Sequence, residues 1–200
     1  LLRWLFVHAG EDDVDFPGAL RNLHAAVGEV EPYEAMKLTL EPLQPGDPAV
    51  VGHPDGDTAR AHGMLLVNAL PCRVDRLVDL VIRADQQALH GSWESYTRTF
   101  TSDATAWDEG RTDRITFENE YTLSGLGGRY SAKIRGEARR IAFTGVEGVP
   151  DGRLVLLRAT LAEPANVEAE GDYFRQDYQL QVFYERAGGD TVHLFAVWRE

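Results

Sequence analysis

Between an apolar strand and a long succession of strands and turns, this sequence places one amphipathic helix. The stretch "VNALPCRVDRLVDLVIRADQQALHGSW", Val67 to Trp93, carries it. The preceding segment "ARAHGMLLVNAL" reads as a strand ended by Pro71, which cannot donate to a sheet ladder. A helix is then predicted from about Arg73 to Leu89. It would carry Val74, Leu77, Val78 and Val81 on one face and Asp75, Arg76, Asp79 and Arg83 elsewhere. After Trp93 the apolar pattern changes from helical spacing to alternation. "DRITFENEYTL" places Ile115, Phe117, Asn119, Tyr121 and Leu123 on one face, with Arg114, Thr116, Glu118, Glu120 and Thr122 on the other.

The remaining strands follow at hairpin spacing. "LSGLGGRY" is a glycine-rich turn into "RYSAKIRGEARRIAFT", whose apolar phase shifts between Ala138 and Ile141 and so predicts a bulge or bend at Arg139 and Arg140. "GVEGVPDG" is a second turn and "RLVLLRATL" a buried strand. "DYFRQDYQLQVFYER" places Phe174, Tyr178, Leu180, Val182 and Tyr184 on one side, and "AGGD" closes a hairpin into "TVHLFAVWRE". The order describes an α+β domain whose antiparallel sheet has about six to seven strands.

Ahead of this region, "EDDVDFPGALRNLHAAVGEV" predicts a helix from about Pro17 to Val30. Asp15 is its expected N-terminal cap, and Leu20, Leu23, Val27 and Val30 form its apolar stripe. "YEAMKLTLEPL" predicts a strand with Met36, Leu38 and Leu40 on one side. "QPGDPAVVGHPDGDT" is a loop and marks the boundary between an extension over residues 1–57 and a main domain over 58–200.

Composition narrows the chemistry. With 32 acidic and 20 basic residues the net charge is −12, which repels phosphate backbones and anionic headgroups and argues against nucleic-acid partners. No apolar run approaches the roughly 20 residues that span a bilayer. A single cysteine, Cys72, allows no internal disulfide and reads as a small apolar residue. The opening "LLRWLFV" is too short for a secretory core and lacks an initial Met, which suggests a processed start. The compartment stays open, with the cytoplasm slightly favoured.

Reaction motifs are lacking. The six histidines show no metal-ligand spacing, and "HPDGD" at His53 to Asp57 lacks the further oxygen ligands of a calcium loop. No serine sits in a nucleophile elbow. "GLGG" joins two antiparallel strands and precedes no helix, so it is not a phosphate loop. No cofactor or metal is expected, no catalytic residue is assigned, and whether the chain is an enzyme is undecided.

The strand, proline-linked helix and following tryptophan in "LLVNALPCRVDRLVDLVIRADQQALHGSW" resemble the START/Bet v1-like superfamily, the helix-grip fold that includes polyketide cyclase-like proteins and lipid-transfer domains. "RIAFTGVEGVPDG" and "GGDTVHLFAVW" are similar to that family's mid-sheet turn and final hairpin. The resemblance covers roughly residues 58–200. It implies a curved antiparallel sheet gripping a helix and leaving a cavity for an apolar ligand. The family usually ends in a long helix across the mouth of the sheet, whereas this sequence ends on a strand at Glu200. The helix from Pro17 is therefore expected to supply the apolar cover.

On this resemblance the expected function is non-catalytic binding or carriage of a hydrophobic small molecule or lipid. The alternatives are a polyketide cyclase or aromatase-like enzyme using the same cavity, and a protein-interaction module with a collapsed one. Candidate lining residues are Trp93, Tyr96, Phe117, Asn119, Tyr121, Arg135, Tyr178, Tyr184 and His193. Of these, Asn119 interrupts an apolar face, and a buried amide without a partner costs roughly 1–3 kcal/mol. By fold analogy His193 is the candidate proton donor of a cyclase. The oligomeric state is not legible.

Overall fold

The computed structural model describes residues 1–12, 16–28, 30–31, 35–89, 93–125, 128–167 and 174–200. Among them, nine antiparallel strands form one open, curved sheet. These are β1 (Ala35–Leu40), β2 (His62–Leu70), β3 (Trp93–Phe100), β4 (Arg114–Gly125), β5 (Gly128–Phe143), β6 (Gly152–Leu161), β7 (Asn166–Val167), β8 (Asp177–Glu185) and β9 (Thr191–Arg199). Their spatial order is β1-β2-β9-β8-β6-β5-β4-β3, with β7 paired to β5. The count exceeds the expected six to seven because β1 adds to the edge of β2 and the two-residue β7 joins the ladder. The Asp15 cap and the centre of the "LSGLGGRY" turn lie outside the described residues.

The central strand β6 explains the layering. Its residues Leu154 to Leu161 are buried on both faces, which is why "LVLL" runs without alternation. Leu154 and Leu156 join an outer core, and Val155, Leu157, Ala159 and Leu161 an inner one. Each face therefore needs its own cover.

Helices α1 (Leu2–His8) and α2 (Pro17–Gly28) close the outer face. Leu5, Phe6, Leu20, Leu23 and Val27 pack there with Tyr178, Leu180, Val182 and Tyr184 of β8 and with Leu194, Ala196 and Trp198 of β9. Arg158 of β6 reaches from below to fasten α1. Its Nη1 donates to the carbonyls of Phe6 (2.6 Å) and Val7 (3.2 Å), and its Nε donates to Glu137 Oε1 at 2.8 Å.

Helix α3 (Val74–Ile82) lies on the inner face, with α4 (Ala104–Asp108) beside it. Val74, Val78, Ile82 and Trp107 meet Ile115, Phe117, Ile134 and Phe183. The expected cover of the inner hollow by the Pro17 helix is thus corrected: α2 is buried against strands, but on the face opposite α3. An apolar stripe reports that a helix buries one side, not which sheet face receives it.

Two further expectations change. The helix predicted to reach Leu89 stops at Ile82, and Arg83 turns to extended backbone. Side chains satisfy the freed carbonyls. Arg98 Nη1 donates to Val81 O at 2.6 Å, and Gln86 Nε2 donates to Arg83 O at 3.2 Å and to Leu80 O. The strand β5 passes Arg139 and Arg140 in unbroken register with β6, without a bulge. Its apolar phase changes because Ala132, Ile134 and Ala138 serve the inner core while Ile141 and Phe143 serve the outer one. A register shift lies instead between Trp93 and Ser95 of β3. Opposite Phe117, Gly136 leaves room for the ring, since a Cβ there would sit 2.4 Å from it.

If α1 belongs to the core, Phe6→Ala should lower stability by about 3–5 kcal/mol in urea unfolding. Leu38→Ala, at a side chain 50% exposed, should change it by no more than about 0.5 kcal/mol.

Candidate ligand-binding site

The inner face is not covered uniformly. Helix α3 rests on β6 and β8. Toward β9 and β2 the inward residues Met64, Leu66, Asn68, His193 and Phe195 are left half-buried, while the outward Leu65, Val67, Ala69, Val192, Leu194, Ala196 and Trp198 are buried. Register sets them in rows: Met64 beside Val197, Leu66 beside Phe195 and Asn68 beside His193. On the other side of β9, Gln179, Gln181 and Phe183 face Val197, Phe195 and His193. The result is a trough with a mainly apolar floor and a few neutral polar groups.

His193 lies at one end of this floor. The imidazole stacks parallel to the Phe183 ring at 4.5 Å, and its Nε2 is 3.0 Å from Gln181 Oε1. With Nε2 protonated, the ring donates to that amide oxygen. Burial pushes its pKa down to about 4, because an imidazolium here would lose its water without gaining an anion. The ring is therefore neutral at physiological pH.

An aromatic cluster lies at one end of the inner face. Trp93 is stacked between Tyr96 (4.7 Å) and Tyr121 (5.4 Å). Tyr121 meets Tyr130 edge-on, and Tyr130 meets Phe174 at 5.7 Å. The Arg199 guanidinium from β9 lies 5.0 Å over Phe174, so rings of β4 and β5 are linked to β9 across the curved sheet. Burial raises the Tyr121 hydroxyl far above its ordinary value, and the nearby Tyr130 and Asp177 push the same way. It also raises Tyr96, whose hydroxyl lies out of water near Arg98 without a well-formed hydrogen bond.

Charged groups at this face are buried but paired. Arg98 donates from Nε to Asn119 Oδ1 at 2.8 Å and lies 4.2 Å over Phe117, while burial lowers its pKa. Asn119 thus finds its partner in a neighbouring strand's guanidinium. Asp177 accepts from Arg199 through Oδ2 alone, and its Oδ1 has no hydrogen-bond partner. Burial raises its carboxyl pKa, with Arg199 opposing.

Where β2 and β9 reach the sheet margin, the trough opens into a cavity of about 710 Å³, lined by Ala59, His62, Met64, Phe174, Val197 and Arg199 among others. That volume lies within the range of small-molecule sites, roughly 300–1,000 Å³.

Of the residues read from sequence as lining, Trp93, Tyr96, Phe117, Asn119, Tyr121 and His193 share the inner face. Arg135, Tyr178 and Tyr184 face outward. Arg135 lines a separate recess of about 240 Å³ with Val51, Arg158 and Thr160. Tyr178 packs on Phe6, and the Tyr184 hydroxyl is 2.9 Å from His24 Nδ1. Sequence reasoning missed Leu66, Asn68, Gln181 and Phe195. A signal existed in the alternation of Gln179 and Gln181 with buried residues, since a one-sided amide row marks a face that is neither core nor fully wet. Among the described residues no group of three or more His, Cys, Asp or Glu is placed to hold a metal ion, and no helix is long and apolar enough to cross a membrane.

Together these features define an α+β helix-grip domain with a half-open trough. Among solved structures, the human StarD13 (DLC2) lipid transfer and protein localization domain is similar, with a TM-score of 0.47 and 10% identity over 93% of this chain and 82% of that one. No protein-family model matches the sequence, and no curated protein does.

The depressed His193 pKa carries a stability signature. The unfolded histidine titrates near 6.5 and the folded one at about 4, so between these values the unfolded chain binds more protons. Stability should fall as pH drops through that window. Urea unfolding should show His193→Gln escaping about 1–3 kcal/mol of this loss. The raised Asp177 carboxyl acts in the opposite direction in both proteins and cancels from the comparison.

Proposed function

We propose that this protein binds or carries a hydrophobic small molecule or lipid in the inner trough, without catalysing a reaction on it. One observation carries the reading: an apolar floor, half-buried except for the buried Val197, runs in continuous register from Asn68 and His193 through Leu66 and Phe195 to Met64 and Val197, where it meets the open cavity. Filling that trough would remove Leu66, Phe195 and Met64 from water at about 25 cal/mol per Å² of apolar surface. The neutral His193–Gln181 pair offers a hydrogen bond without a charge to desolvate.

The electrostatics favour binding over catalysis. An imidazole with a pKa of about 4 is a weak base and is almost never protonated at neutral pH, so it suits proton transfer poorly. The net charge of −12 argues equally against nucleic acid as the occupant.

Native mass spectrometry and solvent extraction of the purified protein test the proposal, followed by thermal titration with oleic acid and with phosphatidylcholine. A bound apolar species is expected. Saturating probe at 100 times its Kd should add about 2.7 kcal/mol of stability. Phe195→Glu should weaken binding at least tenfold by placing a carboxylate on the floor. Preparations that are repeatedly empty, together with melting temperatures unmoved by either probe, would sink the reading.

A further inference from the structure

At the margin of the sheet opposite the trough's mouth, a second hollow of about 640 Å³ is lined by four arginines, Arg111, Arg139, Arg140 and Arg153. The chain has 20 basic residues against 32 acidic ones, so the gathering of Arg111, Arg140 and Arg153 about this hollow runs against its general charge, while Arg139 lines it from the strand and turns its guanidinium to the opposite face, 5.5 Å over Phe16. Two carboxylates, Asp75 and Asp113, share the wall.

Each guanidinium is anchored on one side. Arg140 lies 3.7 Å over the Trp107 ring and donates to Trp107 O at 2.7 Å. Arg153 donates to Asp75 Oδ2 at 2.7 Å and lies 3.3 Å from Glu185. Arg139 donates to Glu11 O and has its Nε 3.6 Å from Asp113. Arg111 pairs with Glu109 at 2.6 Å. These ties use one or two of the five N–H donors that each guanidinium carries. They fix the groups in place while leaving donors over.

The backbone adds to this. β4 begins at Arg114, opposite Arg139, so beyond that pair Arg140 to Phe143 of β5 are matched only by β6. Arg140 N–H points to the open edge, where it donates to Asp113 O. Strand alternation sends the Ala142 N–H the same way, beside the hollow that Ala142 lines. The α3 N-terminus is there too, through Val74. Val74, Ala142 and Val155, on the inner side of the sheet, supply an apolar wall.

We infer that this hollow is a binding site for a phosphate group carried on an organic body. Guanidinium forks match phosphate oxygens bidentately, and the volume and apolar wall leave room for more than the phosphate. The site is separate from the trough and stands whether or not a lipid occupies the latter.

Isothermal titration of the full chain with inorganic phosphate and with naphthyl phosphate, at ionic strength held constant with sodium chloride, tests this. Naphthyl phosphate is expected to bind in the submillimolar range and at least fivefold more tightly than inorganic phosphate. Arg111→Gln and Arg153→Gln, at side chains 57% and 42% exposed, should each fold normally by circular dichroism and weaken binding tenfold or more. Vesicles of phosphatidylcholine with phosphatidic acid form a second arm. Response to the soluble phosphates alone identifies a free metabolite-like ligand, and co-sedimentation with the vesicles alone identifies a lipid headgroup. No response in either arm, or binding equally strong in both variants, overturns the inference.

Discussion

The whole architecture depends on one strand being apolar on both sides. β6 sits mid-sheet with Leu154 and Leu156 facing one way and Val155, Leu157, Ala159 and Leu161 the other. A sheet with such a centre cannot leave either face to water. The outer face is sealed by two helices and the inner by a short one of nine residues. That helix reaches β6 and β8 but leaves the inner side of β9 and β2 without equal cover, and the candidate site is that shortfall. The trough thus follows from a mismatch between a broad sheet and a brief plug.

Polar groups on the inner face keep this arrangement tolerable. Arg98 ties the last turn of α3 to the edge strand β3 through Val81 O, and at the same time satisfies Asn119. His193 stays uncharged and bonded to Gln181. The exceptions are the Tyr96 hydroxyl and Asp177 Oδ1, both buried without a partner at the aromatic end. In a protein interior such atoms cost stability unless something satisfies them.

Much of the frame was legible in the sequence. Alternation in "DRITFENEYTL" and in "DYQLQVFYE" assigned residues to sheet faces, because a strand's side-chain period is two regardless of context. The proline-linked helix was legible for the same local reason. Its end was not, since Ile82 is terminated by contacts from Gln86 and from Arg98 on another element. The face covered by α2 was equally hidden, as was the double service of β5, because both depend on which core a residue meets. Tyr178 and Tyr184 illustrate the limit at the site. Their alternation was read correctly, yet only the sheet's global wrapping decides that this side is outward.

The clamp that Arg158 places on the carbonyls of Phe6 and Val7 joins residues 152 and 151 positions apart in the chain. During synthesis the segment containing Leu5 and Phe6 is made long before the strand that receives it, which lies about 150 positions further along. Its greasy side chains must wait, exposed, until β6, β8 and β9 have paired. Such long-range closure slows folding and prolongs the interval in which sticky surface is available to other chains. Leu5 and Phe6 are therefore made well before they can be buried, and a chaperone meeting the unfinished chain would find this apolar segment still uncovered.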